Sequence, residues 1–187
     1  MTTQVIGRIN RGRTAITRKC HSVPYRNLLL NGLISPDMSI IDYGCGKGYD
    51  WMNLVKAGYE VQGYDKFIPE FTNEKLLINA GYDVAINNYV MNVIEDAEER
   101  QTLLDDMKHL ANKLFITVRA DKKSVGKNWI SYSDGWLTTA NTFQKFYDLK
   151  EVLKEFNNDK KWIFKLLTNN SNEIQFQLEK FVSLGGC

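Results

Sequence analysis

The sequence predicts an α/β domain in which a mostly parallel β-sheet carries helices on both faces and ends in an antiparallel β-hairpin. Short β-branched segments alternate with segments of helical periodicity, which is typical of parallel strands joined by crossover helices. A glycine-rich loop joins the first predicted strand to the helix that follows it. Two alternating segments near the C-terminus flank a turn signal, and this pattern predicts the hairpin.

The chain has the size and composition of one globular domain. Its 187 residues are enough to bury a core, and 43% of them are hydrophobic while 25% are charged. No apolar run approaches the roughly 18 residues that span a bilayer, and no apolar stretch follows the N-terminal arginines, so we expect neither a membrane span nor a secretory signal. The 3 cysteines are too scattered for a disulfide framework or a zinc site, which predicts no metal and a reducing, cytoplasmic location.

The first half of the chain contains two predicted strand–helix units after an irregular N-terminus. Helical spacing over 23–33 predicts a helix, and the β-branched segment 39–43 predicts a buried strand. A second helix over 50–57 leads to a second strand over 60–64. The segment 66–81 contains no convincing third strand, so we expect the sheet to lack one there.

The second half of the chain continues the alternation and then becomes irregular. The predicted order is strand 84–90, helix 97–111, strand 113–119, long loop 121–142 and helix 143–156. Long loops inside compact domains are often functional, so the loop is a candidate wall of the site.

The last predicted element is the hairpin. Segments 162–168 and 173–181 alternate between apolar and polar residues, and 169–172 is an asparagine-rich turn between them. The hairpin adds antiparallel strands to the edge of a parallel sheet, which narrows the choice of fold.

The loop after the first strand carries the strongest chemical signal. Gly44, Gly46 and Gly48 follow Asp42 at alternate positions, and Asp65 ends the second strand. Glycines allow the backbone to turn sharply and approach a ligand, and an acid at the end of the second strand can bind both hydroxyls of a ribose. Because Asp42 precedes the loop, a pyrophosphate is disfavoured and a ligand with a cationic amino-acid end is favoured.

This motif resembles motif I of the class I, Rossmann-like methyltransferases that depend on S-adenosylmethionine (SAM), and the resemblance covers about residues 38–181. It implies that SAM is the cofactor and that the chain is a methyltransferase. The cofactor-binding residues that it implies are Asp42, Gly44, Cys45, Gly46, Gly48, Asp65, Lys66 and Asn87. The residues that it places beneath the transferred methyl group as catalytic candidates are Asn88 and Tyr89.

A closer resemblance is to methyltransferases associated with DNA phosphorothioation. It rests on the runs TAITRKCHSVPYRNLL, DYGCGKGYD, NNYVMNVIEDAEER and DGWLTTANTFQKFY. The resemblance implies a DNA-modification setting, with the N-terminus and the segment 134–147 as walls of the active site. The substrate-binding candidates are Arg18, Trp136 and Phe143. Arg119 is a third catalytic candidate because it ends the predicted strand 113–119, at the edge where α/β proteins bind ligands.

The N-terminus suggests a partner because residues 1–36 contain no acid and six cations. We therefore divide the chain into a basic arm, 1–22, and a methyltransferase domain, 23–187. We predict that the arm contacts a nucleic acid, and that this nucleic acid is DNA. The alternative is that the arm is a solvated tail without a partner. The alternative functions are a SAM-binding or SAM-cleaving protein and a small-molecule methyltransferase. Asn87-Asn88-Tyr89 lacks the two prolines of amino-methylating DNA enzymes, and no Pro-Cys pair occurs, which disfavours N6-adenine, N4-cytosine and cytosine-C5 methylation.

Overall fold

The computed structural model describes residues 9–78 and 81–181, and it confirms the predicted α/β architecture. The strands are β1 (Ser39–Tyr43), β2 (Glu60–Tyr64), β3 (Tyr82–Asn88), β4 (Ala111–Arg119), β5 (Ile130–Tyr132), β6 (Gly135–Leu137), β7 (Phe143–Gln144), β8 (Trp162–Asn169) and β9 (Glu173–Lys180). The α-helices are α1 (Val23–Leu30), α2 (Tyr49–Lys56), α3 (Ala97–Leu110) and α4 (Leu149–Phe156).

Six strands form the main sheet in the order β2-β1-β3-β4-β9-β8. The first four are parallel, and β9 inserts between β4 and β8 as an antiparallel strand, which confirms the C-terminal hairpin. The register places Glu173 at the start of β9 opposite Arg119 at the end of β4. Between β2 and β3 the described residues form two short 3-10 turns and no strand, so β2 is an edge strand, as the sequence predicts.

The helices pack on both faces of this sheet. On one face α1 and α2 bury Tyr25, Leu28 and Leu54 against the central strands. On the other face α3 and α4 contribute Met107 and Phe156 to a second apolar cluster. Burial of these side chains holds the strand ends at fixed positions, and each large apolar side chain contributes about 1.5–3 kcal/mol to that stability.

The segment 121–156 differs from the prediction. The expected loop contains β5 and β6, which form a separate antiparallel sheet with β7. The predicted helix over 143–156 is wrong in its first half because Phe143 pairs with Leu137 in that sheet. The helix begins at Leu149, where Asp148 and Glu151 form a reciprocal capping box, and this cap fixes its N-terminus.

Neither a transmembrane helix nor a cluster of metal ligands occurs in the described ranges. No helix there is long and apolar enough to cross a membrane. No group of three or more His, Cys, Asp or Glu side chains there is arranged to hold a metal ion.

Candidate active site

A cavity of about 890 Å³ opens at the carboxyl ends of the parallel strands, the edge where α/β proteins bind ligands. Its size lies at the upper end of the range for small-molecule sites, so it can hold a nucleoside-sized ligand and a second molecule. The residues from the sequence prediction that line it are Arg18, Asp42, Gly44, Cys45, Gly46, Gly48, Asp65, Lys66, Asn88, Tyr89 and Arg119.

The glycine-rich loop is fastened to the end of β2. The backbone N–H groups of Gly44 and Cys45 both donate to the Tyr64 carbonyl, at 2.7 and 3.0 Å. The N–H of Gly46 donates to the Asp65 carboxylate at 2.8 Å. Gly46 has φ +56°, a left-handed conformation that favours glycine. These bonds bring the loop and the second-strand acid together as the sequence predicts.

Asp42 is a buried carboxyl group at the entrance to this loop. It is only 4% exposed, and burial, followed by the negative charge of Asp50, raises its pKa to about 8, although the Tyr25 hydroxyl acts in the opposite direction. A positively charged ligand group beside Asp42 would favour its ionised form. The loop is therefore suited to the cationic amino-acid end of a ligand.

A second set of polar side chains, Tyr89 and Glu173, lies where β3, β4 and β9 meet. Tyr89 has φ 64°, an uncommon conformation for a tyrosine, and its backbone N–H donates to the Thr117 carbonyl at 2.8 Å. Its hydroxyl donates to Glu173, a cavity-lining residue that is 4% exposed. Burial and the bond to Glu173 raise the pKa of Tyr89, so its hydroxyl stays protonated.

Arg119 completes this end of the cavity. Its guanidinium donates to the Gln144 side chain at 3.3 Å and lies 5.1 Å from the centre of the Phe146 ring. Phe146 in turn stacks on Trp129, which also lines the cavity. In the described part of the chain no carboxylate lies within ion-pair distance of Arg119, so its charge is available to a ligand.

Residues 9–22 of the basic arm, the arm segment, contribute several residues to the wall of the cavity. Arg11 forms ion pairs with Glu95 at 3.0 Å and with Glu99 at 2.6 Å, which join the segment to the start of α3. The Lys47 ammonium donates to the Thr17 hydroxyl at 2.9 Å. The arm segment therefore covers the glycine-rich loop instead of projecting into solvent.

Three residues of the sequence prediction do not line the cavity. Asn87 is fully buried, and its amide donates to the Tyr43 carbonyl at 2.9 Å, so it joins β3 to β1. Trp136 and Phe143 lie in the second sheet, outside the cavity wall. Cys45 does line the cavity, but burial raises the pKa of its thiol, which keeps the thiol neutral.

Several cavity residues escaped the sequence reasoning. Glu173, Tyr25 and Gln144 come from distant segments, and nothing in their local sequence marks them. The end of β4 and the start of β9 lie side by side because these strands pair antiparallel, and the local sequence does not show that pairing. The pairing register of β9 with β4, and not a sequence motif, brings Glu173 to the cavity.

The fold is that of the class I SAM-dependent methyltransferases. Magnesium protoporphyrin IX methyltransferase from Synechocystis, solved with S-adenosylhomocysteine (SAH), superposes with a TM-score of 0.56 at 16% identity, over 91% of this chain and 93% of its own. A SAM-dependent methyltransferase from Methanosarcina mazei gives 0.59 at 14% identity, over 83% and 98%. The 1,6-didemethyltoxoflavin-N1-methyltransferase of Burkholderia thailandensis gives 0.59 at 13% identity, over 84% and 78%.

These likenesses are structural. No protein-family model matches the chain, and no curated protein matches it in sequence. Identities of 13–16% describe a shared fold, and the chemistry of this chain must be argued from its own cavity.

Proposed function

We propose that this protein is a SAM-dependent methyltransferase whose acceptor is a small molecule. The observation that carries the proposal is the convergence of Asp42, the glycine-rich loop and Asp65 on one cavity in this fold. The Synechocystis neighbour was solved with SAH and with SAM, and the Burkholderia thailandensis neighbour with SAH, which supports the same cofactor here.

The residues of the cavity fit the parts of SAM. The buried Asp42 supplies a negative charge when the cationic amino-acid end binds beside it and favours its ionised form, and the Asp65 carboxylate supplies acceptors for the ribose hydroxyls. Lys66, Phe67 and Leu103 line the next part of the cavity and offer a partly apolar surface for adenine. SAM supplies a methyl group on a cationic sulfur, so the protein has only to align a nucleophile, exclude water and take up a proton.

The arm segment favours a small acceptor over a nucleic acid. Arg11 is paired with Glu95 and Glu99, and the Arg18 side chain lies 4.0 Å from the Asp50 carboxylate. Phosphate contacts by these arginines would require those pairs to break. Two of the neighbours named above are methyltransferases of magnesium protoporphyrin IX and of 1,6-didemethyltoxoflavin, which are small molecules. Our proposal therefore replaces the DNA acceptor that the sequence resemblance implies.

The experiment is a transfer assay with SAM carrying a tritiated methyl group. Purified protein is incubated separately with the small-molecule, DNA, RNA and protein fractions of a bacterial extract, and the nucleoside product is identified. The expected result is tritium in the small-molecule fraction together with SAH. Labelled DNA would restore the nucleic-acid acceptor, and methylthioadenosine in place of SAH would show that the protein cleaves SAM.

A further inference from the structure

The inner end of the cavity contains polar atoms that lack partners. One oxygen of Glu173 accepts from Tyr89, while the other is buried and has no hydrogen-bond partner among the residues described. The amide nitrogen and oxygen of Asn88 are also buried and unpaired within the same ranges. Buried polar groups in native proteins are normally hydrogen-bonded, because an unpaired one costs about 1–3 kcal/mol. Two such side chains at the same end of the cavity indicate a ligand with its own donor and acceptor groups.

Among the residues described, Arg119 offers a guanidinium without a carboxylate partner at this end. It makes no ion pair in the part of the chain that the structure describes, although Glu173 supplies a negative charge at the same end of the cavity. Arg18, the other arginine here, is partly balanced by Asp50. A ligand carboxylate can pair directly with Arg119, because its two oxygens suit a guanidinium.

Aromatic rings continue this surface. Trp129 lines the cavity and stacks on Phe146 with an angle of 13° between the rings, and the Arg119 guanidinium lies over that same Phe146 ring. A flat apolar wall beside a free guanidinium fits a ring that bears a carboxylate.

We infer that the acceptor is a small aromatic acid, and that Glu173 takes the proton from its hydroxyl or N–H nucleophile while Arg119 binds its carboxylate. The nucleophile forms a bond to the methyl carbon, the carbon–sulfur bond breaks, and its electron pair stays on the sulfur of SAH. The proton of the nucleophile passes to the unpaired oxygen of Glu173, so charge and atoms balance. Tyr89 is a positioning residue that holds the other oxygen. This inference rests on the proposed function.

The test uses paired acceptors, with salicylate compared to phenol and anthranilate compared to aniline. Wild-type protein should methylate the acid of at least one pair at least tenfold faster than its partner that lacks the carboxylate. Arg119→Gln should bring that ratio close to one. Glu173→Gln, which preserves shape, should slow transfer to the acid at least a hundredfold, the usual range for loss of a general base.

Matched controls separate these effects from general damage. Glu179→Gln lies on the same strand at an exposed position outside the cavity, and Arg26→Gln lies on the exposed side of α1; both should behave as wild type. SAH should raise the melting temperature of every variant by the wild-type amount, because neither Glu173 nor Arg119 belongs to the glycine-rich loop.

Each outcome bears on one of the two claims. If SAH stabilises the wild type but neither acid is methylated, or the acids and their partners react equally, the acceptor class is wrong. Full activity in Glu173→Gln removes Glu173 from proton transfer. If SAH fails to stabilise the wild type, the proposed function itself is wrong.

Discussion

Asp42, at the start of the glycine-rich loop, is a carboxyl group whose pKa is raised strongly by its surroundings. Its pKa of about 8 means that the folded protein retains a proton which the unfolded chain releases near pH 4. Between these two values the native state binds more protons than the unfolded state, so this group makes the protein less stable as pH rises. Ionising the buried Asp42 therefore costs free energy, and a cationic ligand beside it would reduce that cost.

We predict that Asp42→Asn raises the melting temperature of the free protein, and that the gain grows with pH. The gain should be small near pH 5, should increase towards pH 8 and should level off above it, because asparagine has no charge to bury. Differential scanning calorimetry across this range measures the gain. Asp105→Asn, an exposed change on α3, is the control. A gain that does not change with pH would contradict the altered pKa.

Gly44 illustrates a different requirement of the loop, which is space. It has φ +87°, and an added Cβ would collide with the Val90 side chain. Gly58 has nearly the same angle, +88°, with no atom within 4 Å of the added carbon. This pair separates backbone strain from the collision.

We expect Gly44→Ala to lower the free energy of unfolding by about 1–3 kcal/mol more than Gly58→Ala, the usual cost of forcing extra atoms into a packed site. Urea denaturation of both variants gives the difference. Equal losses would show that Val90 moves aside freely and that the close approach is not required.

At the scale of elements, two parts of the chain are predicted from sequence as largely irregular but are held by specific contacts: the arm segment and the second sheet. The arm segment is joined to α3 by Arg11, which is 12% exposed and has two carboxylate partners. Arg13, two residues further on, is exposed and lines no part of the cavity. Substitutions at Arg11 and Arg13 therefore allow the contribution of the arm segment to ligand binding to be measured.

Arg11→Gln should weaken SAH binding about tenfold, whereas Arg13→Gln should leave it unchanged. The reason is that loss of the two charge-assisted bonds releases residues that line the cofactor side of the cavity, and each such bond is worth about 1.5–3 kcal/mol. Isothermal titration calorimetry supplies both dissociation constants. Removal of residues 1–19 should have a larger effect than Arg11→Gln. If the truncated protein binds SAH as tightly as the full chain, the arm segment does not cover the cofactor.

The second sheet is tied to the main domain by a buried ionic network. Arg100, 2% exposed, donates to Glu155 at 3.0 Å and to the Ile94 carbonyl at 2.9 Å, and it pairs with Asp134 next to β6. Lys145 reaches the same Asp134 at 2.6 Å. Removing Arg100 leaves the partly buried carboxylates of Asp134 and Glu155 to share the Lys145 ammonium, so the remaining charges are poorly compensated.

Arg100→Met should therefore destabilise the protein by about 3–5 kcal/mol and speed amide hydrogen exchange in residues 130–144. Lys122→Met removes two surface ion pairs, with Asp148 and with Glu151, whose side chains are 52% and 38% exposed, and should change stability by no more than about 0.5 kcal/mol. Slow exchange in 130–144 of the Arg100 variant would show that the network does not hold this sheet.

The contrast between local and distant signals explains what the sequence could predict. The loop after β1 and Asp65 were predictable because glycine spacing and a strand-ending acid are local features. Glu173 was not, because its role depends on the pairing of β9 with β4 across more than fifty residues. The helix predicted over 143–156 failed because Phe143 and Phe146 have helical spacing, while the decisive signal was the cap at Asp148.

For the whole molecule, the sheet order is what assembles the site. Parallel strands β1 to β4 direct their carboxyl ends to one edge, where the cofactor loop, Asp65, Tyr89 and Arg119 meet. The antiparallel hairpin then returns to that edge and contributes Glu173. The proposed cofactor-binding residues and the proposed acceptor-binding residues thus line one cavity, together with residues of the arm segment.

The most direct test of this account is calorimetric titration of the protein with SAH. We predict binding of one molecule per chain, its loss in Asp65→Ala, and its retention in Asp105→Ala, which alters an exposed acid on α3 outside the cavity. Absence of binding to the wild type, or equal binding by the wild type and Asp65→Ala, would contradict the assignment of this cavity to the cofactor.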